Sequence, residues 1–389
     1  MDNLTHSLVG LTAAKAGLER FSPGATALCV LAANSPDVDI VVLLFQGRWG
    51  YLHHHRGITH SLVGTAVLAL ALPLVFYLAD RIIAQLRKRE RQVRLKGLLL
   101  VSILTTATHP LLDWSNNYGI RFLLPWNARW SYGDFTFVVD PFIWMVLGAV
   151  AFLMTSKTRA HVIFWLVISL IPSFLIFGRL ASSGGSQNTV LLPLLWIVVL
   201  IVSVTLYRQG FGERAGSRVA VVALVVVMVY GAGLFVAHAV ALRQARAQAA
   251  AIANSHSENI INLAAMATAA DPTGWVCVMK TDRATYRFNL SLLRELPPSS
   301  AFVRYENLEG VEAKTVEEAE RDYRAQAFLG FARFPVMRVV GEDCVTQTLV
   351  QFADLRYTEP GNGRGTFSLD VPVDCPVPPL LCVTKISRE

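Results

Sequence analysis

The chain has 389 residues, of which 53% are hydrophobic and only 16% are charged, and its mean hydropathy is +0.44. Because a soluble globular protein carries about 25% charged residues, this composition excludes an ordinary soluble protein and indicates a protein of the lipid bilayer. The formal net charge of +7 does not indicate a nucleic-acid partner, since much of the excess lies in one loop between apolar segments, residues 80–96.

Apolar segments long enough to cross a bilayer begin at about residue 60. About 20 apolar residues in a helix span the roughly 30 Å of hydrocarbon. The pattern predicts about six spans, at residues 62–79, 97–112, 138–155, 162–178, 189–207 and 219–237. The earlier segment 25–45 is apolar but is broken by the polar run 34–39, so we expect a helix and a turn near the surface there rather than a span.

Basic residues are distributed unevenly between the loops that join these spans. Twelve lie on one side: Arg81, Arg87, Lys88, Arg89, Arg91, Arg94, Lys96, Lys157, Arg159, Arg208, Arg214 and Arg218. Three lie on the other side: Arg121, Arg129 and Arg179. Because Lys and Arg concentrate in cytoplasmic loops, the richer side is predicted to face the cytoplasm. Six spans then place both ends of the chain outside the cytoplasm.

The composition changes after the sixth predicted span. Residues 242–270 are rich in Ala and Gln with helical periodicity, and short β-type runs follow at 275–279, 335–340, 345–352 and 366–371. We therefore expect a mainly α, polytopic membrane helical bundle followed by a C-terminal β-rich (α+β) extracytoplasmic domain. The predicted regions are 1–145 with the first spans, 146–242 with further transmembrane helices, and 243–389.

Four of the five cysteines lie in the C-terminal region, at Cys277, Cys344, Cys375 and Cys382. An even number of cysteines in an exported domain indicates disulfides, with three pairings open. Four unpaired core cysteines are the alternative, and Cys29, in an apolar run, is expected to serve packing.

Histidines and aspartates cluster in the first 113 residues. The hexapeptide Thr-His-Ser-Leu-Val-Gly occurs at 5–10 and again at 59–64, each copy at a predicted helix start, capped by its Thr or by an upstream residue. The candidate ligands are His6, Asp37, Asp39, His55, His60, His109 and Asp113. His109 and Asp113 share a helix face, and Asp37 and Asp39 share a side if their backbone is extended. Imidazole with carboxylate suits zinc, manganese or iron.

The ends of the predicted helices bring these residues to one membrane face, because successive spans alternate in direction. Ionisable groups at membrane depth are costly and indicate function. Arg56 is expected either to hold an anionic substrate or to pair with a carboxylate. Asp2, His53, His54 and Asp140 are left open, the last because it could simply cap the third span. Trp114, Trp126 and Trp130 indicate an interfacial lid or belt.

The motifs THSL, SPDVD, HRGITHS and HPLLD, followed by Pro125-Trp126, occur in this order within the first 145 residues. In this they resemble the YdjM-like family of inner-membrane metal-dependent hydrolases, which looks distantly similar to zinc-dependent phospholipase C and to zinc-dependent single-strand nucleases. The resemblance implies an inner-membrane hydrolase with His6, Asp37, His55, His60, His109 and Asp113 as ligands. The segments RFP (333–335) and DLRY (354–357) look like recurring elements of the family's longer members.

The leading hypothesis is a membrane hydrolase that uses one to three divalent ions, zinc foremost, against a phosphoester of a lipid or an envelope intermediate. Asp37 or Asp39 would be the general base where it is not a ligand, with Arg56 beside it. The alternative is a metal-stabilised scaffold or sensor whose C-terminal domain binds a partner. A metal transporter would need ionisable groups in mid-span, and the four most apolar spans contain none.

Overall fold

A computed structural model of the protein describes residues 1–182, 187–293, 301–343, 347–361 and 367–374. The chain forms two compact units. The first comprises Met1–Val38, Arg56–Ala237 and Ala267–Pro272, and the second comprises Asp39–His55, His238–Met266 and Thr273–Glu389.

Ten helices precede the first strand along the described chain. They are α1 (Asn3–Lys15), α2 (Ala25–Asn34), α3 (Val42–His54), α4 (Leu62–Leu86), α5 (Leu95–Trp114), α6 (Pro141–Thr155), α7 (Arg159–Ser182), α8 (Gln187–Arg208), α9 (Phe211–Ala215) and α10 (Ser217–His256). Short 3-10 segments lie at Leu18–Phe21, Ser35–Val41 and Ile58–His60. Helices make up 62% of the described residues, which confirms the mainly α class.

Six helical stretches in the described residues are long and apolar enough to cross a membrane. They are Ala25–His54, Leu62–Leu86, Leu95–Trp114, Arg159–Gly178, Leu191–Arg208 and Ser217–His256. Five coincide with predicted spans. The predicted span at 138–155 is wrong in length, because α6 has only 15 residues and rises about 22 Å.

The sixth stretch, Ala25–His54, is the segment for which we expected a helix and a turn. By length and composition alone it qualifies as a span. The chain within it is nevertheless interrupted twice, by the 3-10 segment Ser35–Val41 and by Gly47, whose φ of 64° breaks α3 into two parts. The break at the SPDVD motif, which carries Asp37, is the feature that matters for the site below.

Small residues let α1, α2 and α5 pack closely in the first unit. The buried cluster that joins these helices consists of Ala14, Ala25, Leu28, Cys29, Ala32, Leu98 and Val101. A Cβ added at Gly10 would lie 2.5 Å from the carbonyl oxygen of Cys29. The burial of Cys29 confirms its expected packing role. Glycine at position 10 therefore sets how closely α2 approaches α1.

Replacing Gly10 with Ala is expected to destabilise the first unit. The new methyl group would clash with the backbone carbonyl of Cys29. Overpacking of this kind lowers the free energy of unfolding by about 1–3 kcal/mol. The matched control is Gly231→Ala in α10, where an added Cβ meets nothing within 4 Å and the better helix propensity of Ala should stabilise by about 0.5–1 kcal/mol. Thermal unfolding in detergent measures both changes, and a Gly10→Ala protein as stable as Gly231→Ala would contradict this packing.

The second unit holds two antiparallel sheets. The first sheet has the strand order β1 (Ile260–Thr268), β2 (Asp271–Thr281), β3 (Ala284–Ser291) and β4 (Val303–Glu306); the second has β5 (Pro335–Asp343), β6 (Gln347–Asp354) and β7 (Ser368–Asp374). Between them lie α11 (Gly310–Ala319) and α12 (Tyr323–Phe331). The α+β character is confirmed, and so are the four predicted β runs within the described residues.

The helix predicted over 242–270 is wrong in its second half. Helix α10 continues without a break from the last span to His256, and β1 begins at Ile260. Ser257, with φ of 55°, turns the chain at the junction. Alanine favours helix only weakly against tertiary pairing, and hydrogen bonding of β1 to β2 decides the outcome here.

The RFP and DLRY segments meet in a buried ion pair of the second unit. The guanidinium of Arg356 donates to Asp354 Oδ2 at 2.7 and 2.9 Å, and both side chains are fully buried. The backbone N–H of Arg333 donates to the same carboxylate at 3.1 Å. Arg356 also lies over the rings of Phe331 and Tyr357, at 4.6 and 5.0 Å. These two motifs therefore have a structural role.

The expected disulfides are not supported. Cys277 is a free thiol, fully buried in β2 opposite Phe288, and burial raises its pKa to about 12. Cys344, Cys375 and Cys382 lie outside the described residues. A scheme that uses all four cysteines in two bridges would require Cys277, so that scheme has no support.

Candidate metal centre

Four of the predicted ligands converge inside the first unit. His109 and Asp113 lie one turn apart on α5, four residues apart as the shared face requires. His60 ends the 3-10 segment Ile58–His60, immediately before Ser61 caps α4. Asp37 comes from the segment Ser35–Val41 that follows α2. His60 and His109 are fully buried and Asp113 is 1% exposed, whereas Asp37 is 14% exposed.

Five of the six separations between the donor atoms of these residues lie between 3.2 and 3.6 Å. His60 Nε2 lies 3.2 Å from His109 Nε2, 3.2 Å from Asp37 Oδ1 and 3.4 Å from Asp113 Oδ2. His109 Nε2 lies 3.6 Å from Asp37 Oδ1 and 3.4 Å from Asp113 Oδ2. Four ligands at about 2.0–2.1 Å from a tetrahedral zinc ion would lie about 3.3–3.4 Å apart. The cluster therefore has the size of a tetrahedral metal site.

A carbonyl oxygen fixes the tautomer of His109. Its Nδ1 lies 2.6 Å from the backbone oxygen of Ala33, which can only accept, so Nδ1 carries the hydrogen. Nε2 of a neutral His109 then presents a lone pair to the oxygens of Asp37 and Asp113. Lone pairs at this distance repel one another unless a cation lies between them. The donor set thus fits a divalent ion, and a hydrogen bond to the other ring nitrogen is the usual support of a metal-binding histidine.

His6 lies beside the four donors rather than among them. Its Nε2 is 3.3 Å from Asp113 Oδ1, the oxygen that also contacts the amino group of Met1. Its ring stacks on His109 with centroids 3.7 Å apart. Nδ1 of His6 is buried and has no hydrogen-bond partner among the described residues. His6 therefore orders Asp113 and His109, and its ligand role stays a prediction.

The guanidinium of Arg56 contacts the Oδ1 atom of Asp113 and the loop that follows α5. Its guanidinium lies 3.0 Å from Asp113 Oδ1 and donates to the backbone oxygen of Asp113 at 3.1 Å and to Asn116 Oδ1 at 3.0 Å. Arg56 is 2% exposed and has a left-handed φ of 53°. Of the two roles expected from the sequence, pairing with a carboxylate is the one that these contacts describe.

Asp39 and His55 form a pair in the second unit. Nδ1 of His55 lies 3.1 and 3.2 Å from the two oxygens of Asp39. The expectation that Asp37 and Asp39 share a side is wrong in its premise, because Ser35–Val41 is a 3-10 helix rather than an extended strand. With three residues per turn, positions two apart point in different directions.

The residues that the sequence left open have structural contacts. Asp2 caps α1 and accepts from the Thr5 N–H at 3.0 Å. Asp140 caps α6 and accepts from the hydroxyl of Tyr230 at 3.0 Å. Exposed His53 and His54 contact each other edge to face. Asp2, upstream of the first repeat, thus confirms the cap expected there. The cap of the second repeat is Ser61, so the expectation of Thr59 or an upstream residue is wrong at that position.

Sequence reasoning missed the Ala33 carbonyl and the Asn116 side chain. A backbone carbonyl leaves no trace in the residue type, so nothing in the sequence could indicate Ala33. Asn116 lies in a polar loop, and only the folded course of that loop brings it to Arg56.

A family model described as "YdjM inner membrane protein" matches residues 1–207. This is more than half of the chain, and it includes every candidate ligand. The chain belongs to the YdjM inner membrane protein family. As a member of this family with six apolar helices, it is a multi-pass membrane protein, and its buried His and Asp groups could hold a metal ion.

One curated relative of this YdjM family member is the "Uncharacterized protein YfhP" of Bacillus subtilis (strain 168). It is 26% identical over 187 residues, which cover 45% of this chain and 53% of the relative. The chain thus matches about half of the relative's length. No solved structure matches the chain significantly.

Proposed function

We propose that this protein is a membrane-bound, metal-dependent hydrolase whose ion is held by Asp37, His60, His109 and Asp113. The observation that carries the proposal is His109 Nε2, which faces two carboxylate oxygens with its lone pair while Nδ1 is engaged by the Ala33 carbonyl. A cation at the centre of the four donors would bind all of them at once.

Zinc is the ion that we propose. Two imidazole nitrogens and two carboxylate oxygens are a donor set that zinc accepts and that magnesium or calcium, with their oxygen shells, do not favour. The edges of 3.2–3.6 Å match a tetrahedral ion, whereas octahedral magnesium would need neighbouring ligands about 2.9 Å apart.

The hydrolytic proposal rests on Asp37, which is both a donor to the ion and a candidate general base. A zinc ion would polarise an ester oxygen and lower the pKa of water. Asp37 is the most exposed of the four donors, so we propose that substrate reaches the centre from its side. Arg56 positions Asp113.

The proposed substrate is a phosphoester of a lipid or of a lipid-linked envelope intermediate. The centre lies where α5 ends and α4 begins, at the end of two candidate spans. A site at this depth meets amphiphilic substrates, whose head groups lie at the same level. Phosphoesters are substrates on which divalent ions stabilise the displaced oxygen.

The assay that tests hydrolysis uses zinc-loaded protein with soluble phosphodiesters and phospholipid vesicles. We expect zinc-dependent turnover by the wild type and a loss of at least about 100-fold in Asp37→Asn, because general-base catalysis alone contributes about 10²–10⁴-fold. Turnover by Asp37→Asn equal to that of the wild type would remove Asp37 from the mechanism.

A specific observation favours a second candidate, a metal-stabilised scaffold or sensor. Three of the four donors are at most 1% exposed, and closed sites with four protein ligands are typical of structural zinc. The same assay separates the two candidates. A wild type that holds stoichiometric zinc but hydrolyses no ester would support the scaffold and contradict the hydrolase.

We further propose that α6 crosses the bilayer despite its 15 residues, that the interrupted stretch Ala25–His54 does not, and that the centre and the C-terminal domain face away from the cytoplasm. With these crossings, the loops on the other side hold the excess of Lys and Arg. Two reporters fused after Arg388 test this orientation. A phosphatase that folds only outside the cytoplasm should be active, and a reporter that works only in the cytoplasm should be silent. The reverse pattern would contradict the orientation.

A further inference from the structure

An apolar cavity of about 330 Å³ lies among four helices of the first unit. Helix α1 contributes Leu4 and Leu8 to its wall, and α6, α7 and α8 contribute the rest. The volume falls within the range of about 300–1,000 Å³ that is usual for ligand pockets. Nothing in the metal centre described above uses this space.

The cavity is elongated along its helices. Its lining reaches from Trp144 to Phe152 on α6 and from Trp196 to Arg208 on α8. At a rise of 1.5 Å per residue these stretches are about 12 and 18 Å long. The shape therefore suits a flexible chain that lies parallel to the helix axes better than it suits a compact ligand.

Three tryptophans line the cavity and present no polar group to it. The indole N–H of Trp144 donates to Thr5 Oγ1 at 2.9 Å, and that of Trp165 donates to Thr155 Oγ1 at 2.7 Å. The N–H of Trp196 donates to Ser173 Oγ at 2.9 Å. Because each indole N–H is engaged by the protein, the rings offer only apolar surface, which favours a hydrocarbon occupant.

The rim of the cavity lies on the outer surface of the candidate spans. Leu166 of α7 and Val204 of α8 both line the cavity and are 55% and 39% exposed. The last residue of α8, Arg208, also lines it and carries a positive charge next to Tyr207. A chain could thus enter sideways from the bilayer while an anionic group remained at Arg208.

We propose that this cavity binds one acyl chain of an anionic phospholipid, with the head-group phosphate at Arg208. The apolar wall takes the hydrocarbon, since each buried methylene contributes to binding. The guanidinium takes the phosphate, for which its planar donors are well suited. The inference is independent of hydrolysis and of the metal, because none of the residues that carry it belongs to the candidate centre.

Filling the cavity tests the inference. A Cβ at Gly148, which lines the cavity, would meet nothing within 4 Å, so Gly148→Leu should place its side chain in the open space. Gly231→Leu on α10 is the matched control, since its Cβ also meets nothing and it does not line the cavity. Full-length protein is incubated with phosphatidylglycerol or phosphatidylcholine of identical chains, washed in detergent, and analysed by native mass spectrometry.

The wild type and Gly231→Leu should retain phosphatidylglycerol in preference to phosphatidylcholine. Gly148→Leu should lower the retained phosphatidylglycerol at least about tenfold, because several methylene contacts are lost. Arg208→Gln, a change at an exposed helix end, should remove the preference between the two lipids. Equal retention by Gly148→Leu and wild type would overturn the cavity assignment. Gly148→Leu protein that forms dimers but retains as much phosphatidylglycerol as the wild type would also overturn the cavity assignment. Equal retention of the two lipids by the wild type would overturn the role of Arg208.

Discussion

His109→Ala is expected to abolish metal binding by the full-length protein. The substitution removes one of four donors and, with it, the ring that orders His60 and is stacked on His6. Loss of a supporting residue behind a ligand already weakens metal affinity by about 10–100-fold, so loss of the ligand itself should cost at least about 100-fold. Metal content, measured by mass spectrometry after purification without chelators, should fall from about one zinc per chain to background.

The matched control for this experiment is His161→Ala. His161 is exposed on α7 and does not belong to the cluster. Its replacement should leave the zinc content unchanged. Retention of zinc by His109→Ala at the wild-type level would show that the ion lies elsewhere.

Asp354→Asn is expected to unfold or strongly loosen the C-terminal sheets. The change leaves the guanidinium of Arg356 buried without its counter-charge, and breaking a buried pair in this way costs about 3–5 kcal/mol. A domain of ordinary stability has only about 5–15 kcal/mol in total. Limited proteolysis of the full-length protein should therefore cleave this region at least about 100-fold faster, because cleavage follows the population of the open state.

Glu318→Gln on α11 provides the comparison. Glu318 pairs with Arg321 at 2.8 Å, but both side chains are more than half exposed. Exposed pairs contribute about 0–1 kcal/mol, so this variant should resist protease almost as well as the wild type. Equal protection of Asp354→Asn and Glu318→Gln would mean that the buried pair does not stabilise the sheets.

The fold was predictable wherever one physical signal dominated. Long uncharged runs such as residues 62–79 can only be helices in a bilayer, because every backbone group must be bonded within the segment. The prediction failed where two signals compete. Residues 260–268 are rich in Ala and could be helix or strand, and the choice depends on pairing with β2, which is not encoded locally.

The site was predictable in its composition but not in its grouping. The spacing of His109 and Asp113 on a helix fixes their shared face, and the alternation of helices brings His60 to the same end. The directions in which the Asp37 and Asp39 side chains point depend on a 3-10 helix that the sequence pattern does not reveal. The pairing of Arg56 with Asp113 likewise depends on the left-handed backbone of Arg56.

X-ray absorption at the zinc edge of the purified, full-length protein tests the central claim most directly. The cluster predicts a four-coordinate ion with nitrogen and oxygen ligands at about 2.0–2.1 Å and the outer-shell scattering of two imidazole rings. A sulfur shell at about 2.3 Å would assign the ion to cysteines. Protein that contains no metal after purification without chelators would contradict the metal centre itself.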